Sequence, residues 1–167
     1  MLQFYRMSPD KYTYVSLTNK TTDGSLELGA HKQTVYDLVL SSKRSFGGTL
    51  SDEDVIDQFE KELQGTEAII LAFRAGDGGT DQAVGYGVLG RLTQKNMSVD
   101  MIFVQPEFQR DGVGTRIETI IEELARKGGA ENLYAIIAGG EHVRQQALAH
   151  GFSPEGKSQY SPLKKML

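Results

Sequence analysis

The residues best suited to chemistry lie in one stretch, 104–115, which reads Val-Gln-Pro-Glu-Phe-Gln-Arg-Asp-Gly-Val-Gly-Thr. An apolar segment ends before Pro106, which stops a strand from extending, and a helical apolar spacing begins at Val113. The first amides of a helix lack carbonyl partners, and the macrodipole adds partial positive charge there. The two glycines would admit an anion close to the backbone, and Arg110 would add a cation. The stretch favours phosphate binding, although an ordinary tight turn would use the same glycines.

Two common phosphate-binding motifs do not fit this stretch. The dinucleotide fingerprint needs a third glycine where this chain has Ile117, and no Gly-x-x-x-x-Gly-Lys-Ser/Thr run occurs. What remains is Gln-x-x-Gly-x-Gly after a Val-x-Pro strand exit, followed by Ala-His-Gly-Phe at 149–152. This pattern resembles the acetyl-coenzyme A signature of the GNAT N-acetyltransferase superfamily. The resemblance is closest over 97–152, and elsewhere only the order of elements agrees.

The resemblance implies that acetyl-coenzyme A is the cofactor. It also implies that the acetyl group passes from the thioester to a primary amine of a small molecule or peptide. The implied pyrophosphate contacts are mainly main-chain groups of Gln109, Arg110, Asp111, Gly112, Val113, Gly114 and Thr115, and the pantetheine contacts are those of Ile102, Phe103 and Val104. The amide of Val104 or Phe103 would polarise the oxyanion. Asp111, whose carboxylate would repel phosphate, is expected to point outward and cap the helix.

The absence of cysteine excludes a cysteine-linked acetyl-enzyme and favours direct attack by the amine in a ternary complex. The amine must first lose a proton, because its unperturbed pKa is about 10.4. Asp100 is the candidate base, because strand alternation should place it on the same face as Ile102 and Val104. It could equally anchor a substrate ammonium or be an exposed carboxylate. Glu67 and Glu141 are weaker alternatives.

The chain departs from the family pattern at the group that protonates the leaving thiolate. Many family members have a tyrosine where this chain has Ala147. His142 is the candidate in its place, with Tyr134 and Tyr160 as alternatives, unless the thiolate leaves unaided. Each of these residues could also have no catalytic role. For His142 the reason is that a histidine in the first turn of a helix is usually exposed to solvent.

The family resemblance assigns the acceptor site to the link between the first two helices and to the terminal hairpin. These regions are 41–50 and the surroundings of Tyr160, so Phe46 and Tyr160 are the predicted substrate-binding residues. Lys43 and Arg44 would suit an acceptor that carries a carboxylate or phosphate, but adjacent cations are commonly just solvated. The sequence leaves the acceptor open.

The elements that would position these residues follow from apolar periodicity and from turn and cap residues. Predicted strands cover 12–18 (with 4–7 as an alternative first strand), 68–73, 83–92, 97–104, 133–138 and 158–167. The first predicted helix contains Val35, Leu38 and Val39, and the second begins at Ser51. The third and fourth cover 112–127 and 141–150. The order predicts a GNAT-like α/β (α+β) fold with about four helices. Its mixed, mostly antiparallel sheet would have six to seven strands, of which the fourth and fifth are parallel and splayed.

Composition limits the class of protein. A chain of 167 residues with 39% hydrophobic content and no linker is expected to form a single domain, 1–167. It lacks a membrane-length apolar run and a signal peptide, which predicts a cytoplasmic protein. The net charge of -4 argues against a nucleic-acid partner and suits a cationic amine. Three scattered histidines predict no metal site. A paired strand edge could support a homodimer.

Three hypotheses for the function therefore stand. The first is an acetyl-coenzyme A-dependent N-acetyltransferase. The second is a noncatalytic acyl-coenzyme A-binding or sensing module, which the missing tyrosine and a missing asparagine near the start of the last helix would explain. The third is an unrelated nucleotide-binding regulator.

Overall fold

The structure is a computed structural model that describes residues 3–5, 11–76, 80–135, 141–158 and 161–167; for 3–5, 141 and 142 it describes the main chain alone. Within these residues the strands are β1 Gln3–Tyr5, β2 Tyr12–Leu17, β3 Thr66–Arg74, β4 Gln82–Arg91, β5 Asn96–Val104, β6 Asn132–Ala135, β7 Ser153–Pro154 and β8 Leu163–Met166. The α-helices are α1 Lys32–Ser45, α2 Asp52–Glu62, α3 Val113–Lys127 and α4 Glu141–Ala149. None of these helices is both long and apolar enough to cross a membrane.

The strands form one mixed sheet in the order β1-β2-β3-β4-β5-β6-β8-β7. Neighbours are antiparallel except β5 and β6, which are parallel, so the predicted fold class is confirmed. The described sheet has eight strands rather than six or seven. Strand β1 overlaps the alternative first strand 4–7, of which residues 6–7 lie outside the described residues, and it forms in addition to β2; two-residue β7 also pairs with β8. Parts of the predicted turn (77–79), fifth strand (136–138) and terminal segment (159–160) lie outside the described residues.

Two apolar clusters cover the two faces of the sheet. One cluster lies under α3 and contains the predicted stripe of that helix, including Ile117 and Ile121. The other lies under α1 and α2 and includes Leu38 and Phe59. Helix α3 lies very close to β4, since a Cβ at Gly87 would be 2.3 Å from Ile117 Cγ2. The sheet therefore fixes the position of α3 closely.

The helix starts follow from local chemistry. The Ser51 hydroxyl accepts a hydrogen bond of 3.1 Å from the Asp54 amide, as the capping-box spacing predicts. Helix α3 begins just after Gly112, where it was expected, and Gly112 has a φ of 79°. A glycine takes this left-handed conformation at little cost, so the chain can turn sharply from β5 into α3.

A β-bulge interrupts the ladder between β4 and β5. Leu89 pairs with Val99 and Val88 pairs with Met101, so Asp100 has no partner in the ladder. An unpaired residue shifts the alternation of side chains beyond it. As a result Met101 packs in the cluster under α1 and α2, like Phe103 two residues on.

Candidate functional site

The parallel pairing of β5 with β6 covers only the first part of β5. It joins Asn96–Val99 to Asn132–Ala135, and within the described residues the rest of β5 pairs with β4 alone. Among the described residues, no strand pairs with the edge at 100–104 that faces away from β4, and we call it the free edge. The predicted second wall of the splay, at 136–138, lies outside the described part of the chain.

The register identifies which main-chain groups face this free edge. The amide of Gln105 donates to the Val84 carbonyl at 2.8 Å, so this pair is hydrogen-bonded across the two strands. Hydrogen-bonded pairs alternate in an antiparallel ladder, so Phe103 also bonds toward β4 and the amides of Ile102 and Val104 point to the free edge. Of the two predicted oxyanion donors, only Val104 has an amide with this direction.

The turn after β5 presents unpartnered amides. Beyond a short 3-10 turn at Pro106–Phe108, Arg110 and Gly112 have positive φ values of 70° and 79°. The first helical bond of α3 joins the Arg116 amide to the Gly112 carbonyl at 3.0 Å. None of the amides of 110–115 has an acceptor among the described residues. This is the arrangement of amides that the predicted phosphate cradle requires.

The cradle adjoins the free edge of β5. A Cβ at Gly114 would lie 3.7 Å from Val104 Cγ2 and 3.8 Å from Ile102 Cγ2, so the start of α3 packs directly on the strand. A Cβ at Gly112 would meet no atom within 4 Å, so the backbone of Gly112 is not covered on that side. The side chain of Gln109 donates to the Val104 carbonyl at 3.0 Å and ties the turn to the strand end.

Asp111 differs from its prediction. It was expected to cap α3, but the N-cap is Gly112, which has no side-chain cap bond. The exposed carboxylate of Asp111 instead accepts a hydrogen bond of 2.7 Å from the Tyr12 hydroxyl on β2. Gly112, with its positive φ, separates Asp111 from the first residue of the helix. Sequence reasoning missed Tyr12, because a contact between residues so far apart leaves no local signal.

Asp100 lies in the bulge, and the alternation argument that selected it was wrong. Its Oδ2 atom would be 2.1 Å from a Cβ at Gly90, which places it on the face of α1 and α2 and not on that of Ile102 and Val104. Loss of hydration raises the pKa of the Asp100 carboxyl above its ordinary value. A hydrogen bond with Ser98 opposes this shift, and the negative charge of Glu62 adds to it. The side chain keeps some exposure, as a base for a solvent-borne substrate requires.

The other acid and base candidates are less available or lie outside the described side chains. Glu67 is paired with Arg91 at 3.1 Å and with Lys20 at 3.8 Å. The side chains of Glu141 and His142 and the whole of Tyr160 are outside the description. Tyr134 is half-buried, with the Lys164 ammonium 5.7 Å from its ring centroid.

The predicted acceptor region contains an exposed aromatic side chain. Phe46 is 61% exposed, and its ring centroid is 6.4 Å from that of Phe103 in an edge-on contact. Lys43 and Arg44, which could have bound an acidic acceptor, each contact Asp52 at 3.2 Å. Unlike the cradle, this region consists of side chains.

An open helix start beside an unpaired strand edge suits a ligand with both a phosphate and an extended arm that can pair like a strand. These features are typical of α/β proteins that bind a cofactor of nucleotide type. The model of the acetyltransferase (GNAT) family matches residues 33–152. The chain therefore belongs to the GNAT acetyltransferase family, whose acetyl donor is acetyl-coenzyme A. The predicted family is confirmed, and the predicted cofactor is the one that this family uses.

Solved structures share the fold at low sequence identity. Ard1 from Thermoplasma volcanium is 13% identical with a TM-score of 0.66, over 95% of this chain and 99% of that one. The PaiA N-acetyltransferase from Thermoplasma acidophilum, in complex with coenzyme A, is 12% identical with a TM-score of 0.63, over 95% and 100%. A GNAT family acetyltransferase from Elizabethkingia anophelis with acetyl-CoA bound is 17% identical with a TM-score of 0.57, over 95% and 99%. Comparison with curated proteins gives no sequence match.

Proposed function

We propose that residues 1–167 act as one acetyl-coenzyme A-dependent N-acetyltransferase domain that acetylates a primary amine. The observation that carries the proposal is the packing of the start of α3, with the unpartnered amides of 110–115, against β5 and its free edge. A pyrophosphate would accept hydrogen bonds from the amides, and a pantetheine arm would pair with Ile102 and Val104. When bound, acetyl-coenzyme A supplies the acetyl group as an activated thioester.

The residues of β5 support direct transfer to the amine. The Val104 amide points to the free edge, where it would donate to the carbonyl oxygen as negative charge develops. The amine nitrogen would form a bond to the carbonyl carbon while the carbon–sulfur bond breaks. Before the attack the ammonium proton would go to Asp100, whose raised pKa suits a general base. The second proton, which the nitrogen loses as the amide forms, would pass through His142 or water to the leaving thiolate.

The acceptor region favours an amine with an apolar group and no acidic group. The exposed ring of Phe46 beside Phe103 offers an apolar contact. Asp52 already pairs with Lys43 and Arg44, so part of their positive charge is balanced without an acceptor carboxylate. Asp100 leaves negative charge for an ammonium. The predicted contact with Tyr160, the cytoplasmic location and the homodimer stay predictions from the sequence.

The test is a cofactor titration followed by an acceptor comparison. Calorimetric titration with acetyl-coenzyme A, coenzyme A and ATP should give saturable binding of the first two and weak binding of ATP. Turnover should then be compared for 2-phenylethylamine, phenylalanine and ethylamine, with the acetylated amine detected by mass spectrometry. We expect the first to be preferred, because phenylalanine adds a carboxylate and ethylamine lacks the ring. Absence of cofactor binding by folded protein would contradict the proposal.

A noncatalytic acyl-coenzyme A-binding module is the second candidate. It is favoured by Ala147, which has no hydroxyl at the family's tyrosine position and packs on the apolar cluster under α3. This candidate predicts saturable cofactor binding without any acetylated product across peptides, polyamines and aromatic amines. Detection of one acetylated acceptor would eliminate it.

A further inference from the structure

The carboxylate of Asp111 is a potential internal competitor for the cradle. It precedes Gly112, the N-cap of α3, and so lies next to amides that have no acceptor among the described residues. A carboxylate at a helix start gains both hydrogen bonds and a favourable interaction with the macrodipole. If the Asp111 side chain turned toward these amides, it would occupy the place of a ligand phosphate.

The Tyr12 hydroxyl holds this carboxylate in another direction. It donates to Asp111 Oδ2 at 2.7 Å. Tyr12 is fixed by its place in β2, opposite Arg74 on β3. The Arg74 guanidinium carbon in turn lies 5.5 Å from the ring centroid of Phe108, which is buried in the turn before Asp111. The tyrosine and the turn are therefore anchored to the same pair of strands.

The main chain around Asp111 shows why an anchor is needed. Arg110 and Gly112, on either side of it, both have positive φ values, and for arginine this conformation is unfavourable. The turn therefore needs contacts from elsewhere in the fold to persist. The hydrogen bond from the Tyr12 hydroxyl to the Asp111 side chain is such a contact. The pKa of the Tyr12 hydroxyl is raised by loss of hydration and by this bond, which keeps it a proton donor.

We propose that Tyr12 is a positioning residue that keeps the Asp111 carboxylate out of the phosphate cradle. The inference rests on the proposed function, because it concerns how the cradle stays open for the pyrophosphate of coenzyme A. It assigns the two side chains opposite effects. Tyr12 favours cofactor binding, whereas an unrestrained Asp111 opposes it.

The test is a double-mutant cycle read by coenzyme A affinity. Tyr12→Phe should weaken binding by about threefold to tenfold, the range of one hydrogen bond. Tyr12→Phe combined with Asp111→Ala should regain most of that loss, because the competing carboxylate is gone. Binding of pantetheine, which lacks the pyrophosphate, should not respond to Tyr12→Phe.

The matched control is Tyr36→Phe. Tyr36 also donates its hydroxyl to a carboxylate, that of Glu60, but on the α1–α2 side of the sheet. The Tyr36→Phe substitution should leave coenzyme A affinity unchanged. Thermal unfolding of each variant separates a loss of affinity from a loss of fold, and if Tyr12→Phe unfolds, Asp111→Asn serves instead. This variant keeps an acceptor for Tyr12 but removes the charge, so it should bind coenzyme A more tightly.

The outcomes distinguish this inference from the proposed function. If the unaltered protein does not bind coenzyme A, the proposed function fails first. If it binds and Tyr12→Phe binds equally well, the positioning role is wrong. If Tyr12→Phe is weaker but removal of Asp111 restores nothing, the tyrosine acts through the fold alone and the inference is overturned. Recovery in the double variant, with pantetheine binding unmoved, supports it.

Discussion

The proposed cofactor side, at β5 and the start of α3, and the proposed acceptor side, at 41–50, are built from different chemical groups. The cofactor side consists of main-chain amides at the start of α3 and at the free edge of β5, fixed by the packing of Gly114 on the strand. The acceptor side consists of side chains such as the exposed ring of Phe46. Main-chain geometry survives extensive sequence change, whereas a side-chain site changes with each substitution. The cofactor can therefore be named by family membership, while the acceptor has to be argued from this chain alone.

The largest expected effect tests the main-chain side. Gly112→Trp would strain a residue with a φ of 79° and add a bulky side chain next to the unpartnered amides. Loss of two or three charge-assisted hydrogen bonds should weaken coenzyme A binding by about a thousandfold. Calorimetric titration of the variant with coenzyme A measures this loss of affinity.

The matched control for this change is Gly24→Trp. Gly24 has a similar φ of 86° and equally open surroundings, but it lies in a turn of the 21–25 loop. The Gly24→Trp variant should therefore retain its affinity for coenzyme A. Equal loss in both variants would mean that backbone strain, and not the cradle, explains the effect.

The next prediction tests the carboxylate in the bulge. Asp100→Asn should lower kcat by about a hundredfold, the lower end for a general base, and leave cofactor affinity nearly unchanged. In the unaltered enzyme kcat should fall as the pH drops through the Asp100 pKa, which lies above the ordinary carboxyl value. Steady-state kinetics across pH measure both, and an unchanged acidic limb in Asp100→Asn would rule out Asp100 as the base.

A smaller effect sharpens the acceptor side. Phe46→Ala should reduce kcat/KM for 2-phenylethylamine by about tenfold and that for ethylamine much less, because an apolar contact is lost. Leu92→Ala provides the control, since Leu92 is similarly exposed at 57% but lies in the β4–β5 turn. Equal losses for both amines would move the acceptor site away from Phe46.

Arg110→Gly should separate binding from stability. Glycine adopts the left-handed conformation of residue 110 without strain, so the free energy of unfolding should rise by about 1 kcal/mol. Coenzyme A affinity should nevertheless fall by about threefold, because an exposed cation is lost from the cradle. Chemical denaturation and titration measure the two quantities, and a fall in both would show that Arg110 supports the turn itself.

The smallest expected effect is a pH-dependent stability change at Asp100. Because its pKa is raised in the folded state, the carboxyl favours folding when protonated, and this contribution is lost as pH rises through the raised pKa. Asp100→Asn should therefore have a higher Tm than the unaltered protein at neutral pH. The difference should vanish at a pH below the ordinary carboxyl pKa, and a constant difference in Tm would contradict the assignment.

Local signals predicted much of the fold and the main-chain site. The start of α2 at Ser51 and the buried stripe of α3 were predicted because caps and apolar periodicity act over a few residues. The contact of Tyr12 with Asp111 joins distant parts of the chain and has no such signal. The face of Asp100 was predicted wrongly because a bulge is a property of two paired strands, not of one.

The bulge at Asp100 limits which substitutions the neighbouring strand tolerates, and it affects how this site could be engineered into another protein. Gly90 contributes no chemistry, yet the carboxylate of Asp100 stands in the space that any larger residue at 90 would fill. Gly90 and Asp100 are therefore coupled, because an alanine at position 90 would push the Asp100 carboxylate out of its present position. Grafting this carboxylate onto another scaffold would accordingly require a glycine at the corresponding position of the neighbouring strand.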